Sequence, residues 1–205
     1  MPIRPIADAE VIFAPFIDSL IECVNDGYDE VYERCGGGLV LFETRTKRSM
    51  FRDAIIRQLR KWADDTPGVH FFERGQLKWV GFSNQWIVRV KSIDDRNSVA
   101  VSPTEASAAY DRNIVPDSIA ETLHTDLPAT MLYIGHRSNE NAPTIPEISL
   151  ICNNSRAQPE WIWPLTGNGP APTLALPEPT TTPPVEDDGV RFRVKGSSSK
   201  TKKGE

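Results

Sequence analysis

The chain has 205 residues, 39% of them hydrophobic and 25% charged, with a formal net charge of −5. That length fits one domain plus appendages, and the apolar content excludes both a chain too short to bury a core and one disordered throughout. Cys23, Cys35 and Cys152 are odd in number and have no CxxC spacing, which argues against a disulfide framework or structural zinc and for a reducing, cytoplasmic setting. The segment Met1–Asp8 has no apolar run fit for a secretory signal. No window approaches the roughly 20 apolar residues of a membrane helix, so no membrane partner is expected.

Residues 8–34 carry Phe13, Phe16, Ile17, Leu20, Val24, Tyr28 and Val31 at helical spacing, with Asp18, Glu22, Asp26, Asp29 and Glu33 opposite. That stripe predicts one amphipathic helix, its regular part beginning near Ala14 because Pro15 suits a first turn. Gly36-Gly37-Gly38 predicts its end. Leu39–Phe42 reads as an edge strand or a buried turn.

Arg45 to Asp64 predicts a second helix, with Thr46 or Ser49 as cap and Phe51, Ile55, Leu59 and Trp62 on one face. Pro67-Gly68 forces a turn. From Val69 to Ile93 the period changes to two: Leu77 and Trp79 alternate with Lys78, and Trp86, Val88 and Val90 with Arg89 and Lys91. A hairpin or meander with one apolar and one partly cationic face is expected, its tip at Ser83-Asn84-Gln85, its apolar face against the helix. Trp62, Trp79, Trp86 and Trp161 are expected in the core.

A short helix is expected from Pro103, behind Ser102 as cap, to about Arg112, and another over 117–125. Strands follow over 129–136, 147–152 and 160–165. The expected architecture is α+β, helices packed on a mostly antiparallel sheet of about five strands, as one domain over residues 1–165. Six prolines between Pro170 and Pro184 predict a disordered linker and tail over 166–205. Within it Val190, Phe192 and Val194 alternate with bases, either as noise or as a docking strand over 190–195 for a partner's sheet edge.

Charge is segregated along this chain. Residues 44–93 hold eleven Lys/Arg against four acids, whereas residues 1–43 hold two against nine. Arg45, Lys47, Arg48, Arg52, Arg57, Arg60, Lys61, Lys78, Arg89 and Lys91 therefore form a candidate surface for nucleic acid or a protein partner. The competing reading is neutralisation within the fold, by Asp18, Glu22 and Asp29 of the first helix.

Chemistry-bearing patterns are sparse. A nuclease strand would need Glu-x-Lys, and Arg89-Val90-Lys91 has arginine in the acid's place. His70, His124 and His136 show no ligand spacing. The glycines at 36–38 lack the Lys-Ser/Thr of a phosphate loop, and no nucleophile elbow is present. No metal, cofactor or catalytic residue is expected.

The run from Arg45 through Ile93, with its Asp65-Thr66-Pro67-Gly68-Val69 turn, joins Leu127-Pro128-Ala129-Thr130 and Trp161-Ile162-Trp163 in a further pattern. Over residues 40–165 it resembles small uncharacterised bacterial proteins of prophages and mobile islands. That family is encoded near helix-turn-helix regulators and zinc-peptidase-like genes. The resemblance implies a setting of phage defence, toxin–antitoxin control or element maintenance, and no reaction. The expected function is a non-enzymatic interaction or regulatory component that binds a partner from the same operon or nucleic acid through the basic helix-hairpin surface. The alternative is a toxin-like nuclease or other effector enzyme.

Overall fold

A computed structural model describes residues 3–83, 85–99, 104–116, 119, 129–137 and 146–166. The first predicted helix is two. Helix α1 spans Ile6–Phe13 and α2 spans Ile17–Cys35, with a 3-10 turn at Ala14–Phe16 between them. Pro15 sits in that turn, where its missing N–H and fixed φ interrupt the α-helical ladder. Helix α2 buries Leu20, Cys23, Val24, Gly27, Tyr28 and Val31, the predicted stripe. It ends at Gly36, whose φ of 49° falls where a side chain is strained.

Residues Gly36–Leu41 wind into a 3-10 helix, neither edge strand nor buried turn. Helix α3 then runs Thr44–Asp64, starting ahead of both predicted caps. Glu43 occupies the cap position without a side-chain bond, and Ser49 Oγ donates to the Arg45 carbonyl at 3.1 Å inside the helix.

Helices α2 and α3 lie close together. A Cβ on Gly27 would come within 2.7 Å of the backbone nitrogen of Ile55. Small residues at a helix crossing let two backbones approach, and a methyl group there has nowhere to go. Beside this point Phe51 stacks on Tyr28 with centroids 4.3 Å apart.

The sheet has six strands in chain order: β1 (Val69–Arg74), β2 (Leu77–Phe82), β3 (Trp86–Ser92), β4 (Thr130–Arg137), β5 (Glu147–Asn153) and β6 (Pro159–Pro164). Four of its junctions are antiparallel, and β3 runs parallel to β4 with Val88 opposite Leu132. The fold class is α+β, as expected. The sheet is mixed, with six strands where about five were predicted.

Parallel neighbours cannot be joined by a hairpin; the chain must cross a face of the sheet. Helix α4, Glu105–Asp111, belongs to that crossover. It starts later than predicted: Thr104 caps it, accepting a bond from the Ser107 backbone at 3.3 Å, and Pro103 lies outside the described residues, as does most of 117–125.

The sheet consequently has two cores. Helices α1 to α3 cover Val80, Phe82, Trp86, Val88, Leu132, Ile134, Leu150 and Trp161. The α4 side covers Trp79, Ile87, Tyr110, Met131, Tyr133 and Ile151. Trp79 and Trp86 are both buried but on opposite faces, so the hairpin has two apolar faces where one was predicted. Trp62 is half-buried, packed edge-on against Phe16. The Arg4 backbone carbonyl accepts a bond from Trp161 Nε1 at 3.1 Å, tying the segment ahead of α1 to β6.

Two side chains pin the helix layer to the sheet. Tyr28 of α2 and His136 of β4 share a hydrogen bond of 2.8 Å between the hydroxyl and Nδ1. Burial and the nearby Arg48 charge hold the His136 imidazole down to about 3, so the ring is neutral. No described helix is long and apolar enough to cross a membrane.

Two outcomes follow for stability. Gly27→Ala will destabilise the protein by about 1–3 kcal/mol in chemical denaturation, as overpacking does. Gly37→Ala, whose Cβ would meet nothing within 4 Å, will be close to neutral. His136 makes a pH signature. The unfolded chain protonates this ring near its ordinary value of 6.5, while the folded protein resists down to about 3. Stability from this group is therefore complete above that window and falls as pH drops through it, at up to about 1.4 kcal/mol per pH unit. Denaturation midpoints between pH 6 and 4 will fall less steeply in His136→Gln; equal slopes would remove His136 from the account.

Candidate functional site

The basic residues of α3 divide by helix position. Toward its C-terminal half Arg57 and Arg60 are neutralised by acids from neighbouring elements. Arg57 donates to Glu30 at 2.7 Å, and Gln58 and Arg34 converge on the same carboxylate at 3.1 and 3.0 Å. The Arg57 hydrogen bond first, and the nearby guanidinium charges after it, hold Glu30 below the usual carboxylate range. Arg60 pairs with Glu73 and lies 4.6 Å from the Phe71 ring centroid, while Lys78 reaches Glu73 at 3.2 Å. Neutralisation within the fold therefore accounts for Arg57, Arg60 and Lys78. The acids that do it are Glu30 and Glu73, and not the predicted Asp18, Glu22 and Asp29, which stay exposed.

The N-terminal half differs. Arg45 and Arg48 are exposed, and Arg52 is half-buried. Among the described residues Arg45, Arg52 and the exposed Lys61 have no acid within ion-pair distance. Lys47 is only 6% exposed, because it shares a helix face with Phe51 and Ala54. It drops out of the predicted surface.

Ahead of this half-helix stands an apolar ridge that pattern reading missed. Val40, Leu41 and Phe42 are 63%, 85% and 42% exposed, and of the four apolar residues only Leu39 is buried. A tight 3-10 turn three residues per turn wide buries one side chain and points the next ones outward. The ridge and Arg45 share the α2–α3 corner.

Arg89 and Lys91 also leave the predicted surface. Both lie on the sheet face that α4 covers, Arg89 at 7% exposure and Lys91 half-buried. The Arg89 guanidinium sits 4.9 Å from the Tyr110 ring centroid, and its Nη1 is buried with no hydrogen-bond partner. Lys91 is held down to about 8, by burial first and then by the charges of Arg89 and Arg52. The cationic face was expected to be solvated. The crossover from β3 to β4 lays a helix over it.

Around these cations lies a polar network with no sequence signal. Tyr110 Oη lies 2.9 Å from the Ile87 carbonyl and 2.7 Å from that of Leu132, to which it donates across β3 and β4. Asp111 accepts from Asn153 Nδ2 at 2.7 Å and from the Tyr133 hydroxyl at 3.3 Å, and burial raises its carboxyl above the ordinary range. Asn113, at a φ of 56°, accepts from the Met131 backbone and donates to the Met131 and Asn153 carbonyls, completing the β4–β5 ladder with its side chain. Exposed or buried is decided here by which element crosses the face, and a Tyr-Asp-Arg-Asn run carries no trace of that.

Two of the three thiols are poor nucleophiles. Burial pushes the Cys23 and Cys152 thiols up to about 12, far from thiolate at neutral pH. Among the described residues no three His, Cys, Asp or Glu side chains converge. His124 and the docking strand residues Val190, Phe192 and Val194 lie outside the described residues.

Reversing Arg57 and Arg60 together to glutamate will lower the melting temperature, because both lose an acid partner and gain a repulsive one. The loss will be smaller than that of Gly27→Ala, since both pairs are exposed to solvent. An unchanged melting temperature would show that these pairs contribute nothing to folding.

Compared with known proteins, the chain matches no family model, no curated protein and no solved structure.

Proposed function

We propose that this protein is a non-enzymatic interaction component that binds an acidic partner protein through the α2–α3 corner. The observation that carries the reading is the exposed ridge of Val40, Leu41 and Phe42 beside arginines that the fold leaves without acids. Apolar side chains at this exposure cost solubility unless something covers them. An apolar centre with a guanidinium rim is the composition of protein interfaces, where a few anchors carry most of the affinity. Arg45 and Arg52 supply charge complementarity to acidic groups; Arg48 adds to the local field.

Nucleic acid would engage the same arginines but has no use for three aliphatic and aromatic side chains outside a stacking platform. The resemblance over residues 40–165 supports a setting in a bacterial mobile-element, defence or toxin–antitoxin module. A protein encoded in the same operon is then the natural partner. The basic surface proposed here is smaller than the whole helix-hairpin: Arg57, Arg60 and Lys78 help to hold the fold, and Lys47 and Arg89 lie inside it.

The test is titration calorimetry between the full chain and each protein of its operon. Leu41→Ser/Phe42→Ser will weaken binding by roughly thirtyfold or more, the scale of an interface hot spot, at unchanged melting temperature. Arg45→Glu/Arg52→Glu will weaken it further at low salt than at high salt. Unaltered affinity in the serine variant, or binding of nucleic acid alone with a steep salt slope, would overturn the reading.

A further inference from the structure

The sheet is split beside its most unusual side chain. Strand β2 pairs with β3 only from Val80–Val88 to Phe82–Trp86, although β2 stays bonded to β1 along its whole length. Beyond Val88, therefore, no strand among the described residues pairs with β3 on its β2 side, and this stretch holds Arg89 and Lys91. On its other side the same stretch is fully paired, with Arg89 opposite Tyr133 and Lys91 opposite Gly135 on β4. The opening lies toward the carboxyl ends of two parallel strands, the position at which sheets with crossovers receive ligands.

A guanidinium presents five N–H donors and remains charged at any physiological pH. Buried arginine is accordingly met by a carboxylate, by carbonyls or by water. Arg89 is 93% covered, yet its Nη1 meets no acceptor, and no carboxylate among the described residues pairs with it. The Tyr110 ring offers its π face at 4.9 Å, which answers the charge in part and leaves the N–H groups unanswered. Asp111, the one buried carboxylate among the described residues, spends Oδ1 on Asn153 and Tyr133. Among the described residues, then, nothing accepts from Arg89 Nη1.

The neighbouring charges set the class of acceptor that fits there. Lys91 lies two residues along the same face, and its ammonium feels Arg89 on one side and the Asp111 carboxylate on the other. Two cations beside a single carboxylate suit a ligand with negative charge and several acceptor oxygens. A phosphate group has both, and its oxygens match the planar fork of arginine.

We propose that the split between β2 and β3 binds the phosphate of a small phosphorylated molecule, with Arg89 as the main hydrogen-bond donor and Lys91 as a supporting charge. A polymer backbone lying on the surface cannot reach a guanidinium covered this deeply, so nucleic acid is not the ligand. This site is separate from the α2–α3 corner, and either assignment can fail without the other.

Thermal denaturation of the full chain, with inorganic phosphate titrated against a chloride buffer of equal ionic strength, tests it. A ligand that binds only the folded state raises the melting temperature with the logarithm of its concentration, on the order of 5 °C at a hundredfold excess over Kd. That logarithmic shift is expected in the wild type, reduced in Arg89→Lys, which keeps charge without the fork, and absent in Arg89→Met. Binding to an operon partner will be unchanged in all three. No shift in the wild type, or an equal shift in Arg89→Met, which would mark a bulk salt effect, overturns the proposal. So does a single-stranded oligonucleotide that displaces phosphate from the site.

Discussion

The close approach of α2 and α3 at Gly27 is the constraint on which the rest of the protein depends. With the backbone of Ile55 this near, the two helices act as one layer, and their apolar stripes form one continuous surface. Phe51 can then stack on Tyr28, and Tyr28 can reach His136 on the fourth strand. At the other end of the pair, Phe13 and Phe16 close over Phe82, with centroids 4.7 and 5.6 Å away. Push the helices apart by the width of a methyl group and both ends lose their contacts with the sheet.

The second determinant is the parallel pairing of β3 and β4. Five antiparallel junctions would have left one face of the sheet to solvent, as meanders commonly do. A single parallel junction sends the chain across that face and covers it. The consequence is a second core and, within it, the burial of Arg89 and Asp111. Polar groups enclosed this way must find partners, and Tyr110, Asn113, Tyr133 and Asn153 form a network that answers most of them. Among the described residues Arg89 Nη1 and Trp79 Nε1 are the groups on this face that it leaves without a partner.

The basic centre of the chain consequently does three different things. Arg57, Arg60 and Lys78 close ion pairs with Glu30 and Glu73 and join helices to each other and to the sheet edge. Arg45 adjoins an exposed apolar ridge, with Arg48 and Arg52 further along the same helix. Arg89 and Lys91 lie under α4. One run of charge in the chain is thus divided among stability, surface and interior according to the layer each residue meets.

Periodicity was enough to place α3 and the last three strands within a residue or two, because spacing such as that of Phe51, Ile55 and Leu59 reports directly which face is covered; over residues 69–93 it marked strand character but not the division into three strands. It missed the break at Pro15, reading the proline as the first turn of one helix, since proline permits both a first turn and an interruption. Spacing could not show that the face carrying Arg89 and Lys91 is covered as well. Cations alternating with valines read as a solvated edge, and the lid comes from α4, beyond the end of the strand. Nor could it show that Val40, Leu41 and Phe42 face outward: an apolar run reads as buried until the backbone around Gly36 turns it. Which acid neutralises which arginine was equally hidden, because Glu30 and Glu73 are chosen by the helix crossing and the β1 hairpin, and not by distance along the chain. Local spacing encodes the elements; the solvent exposure of their charges depends on contacts between residues far apart, which exist only once the layers have packed.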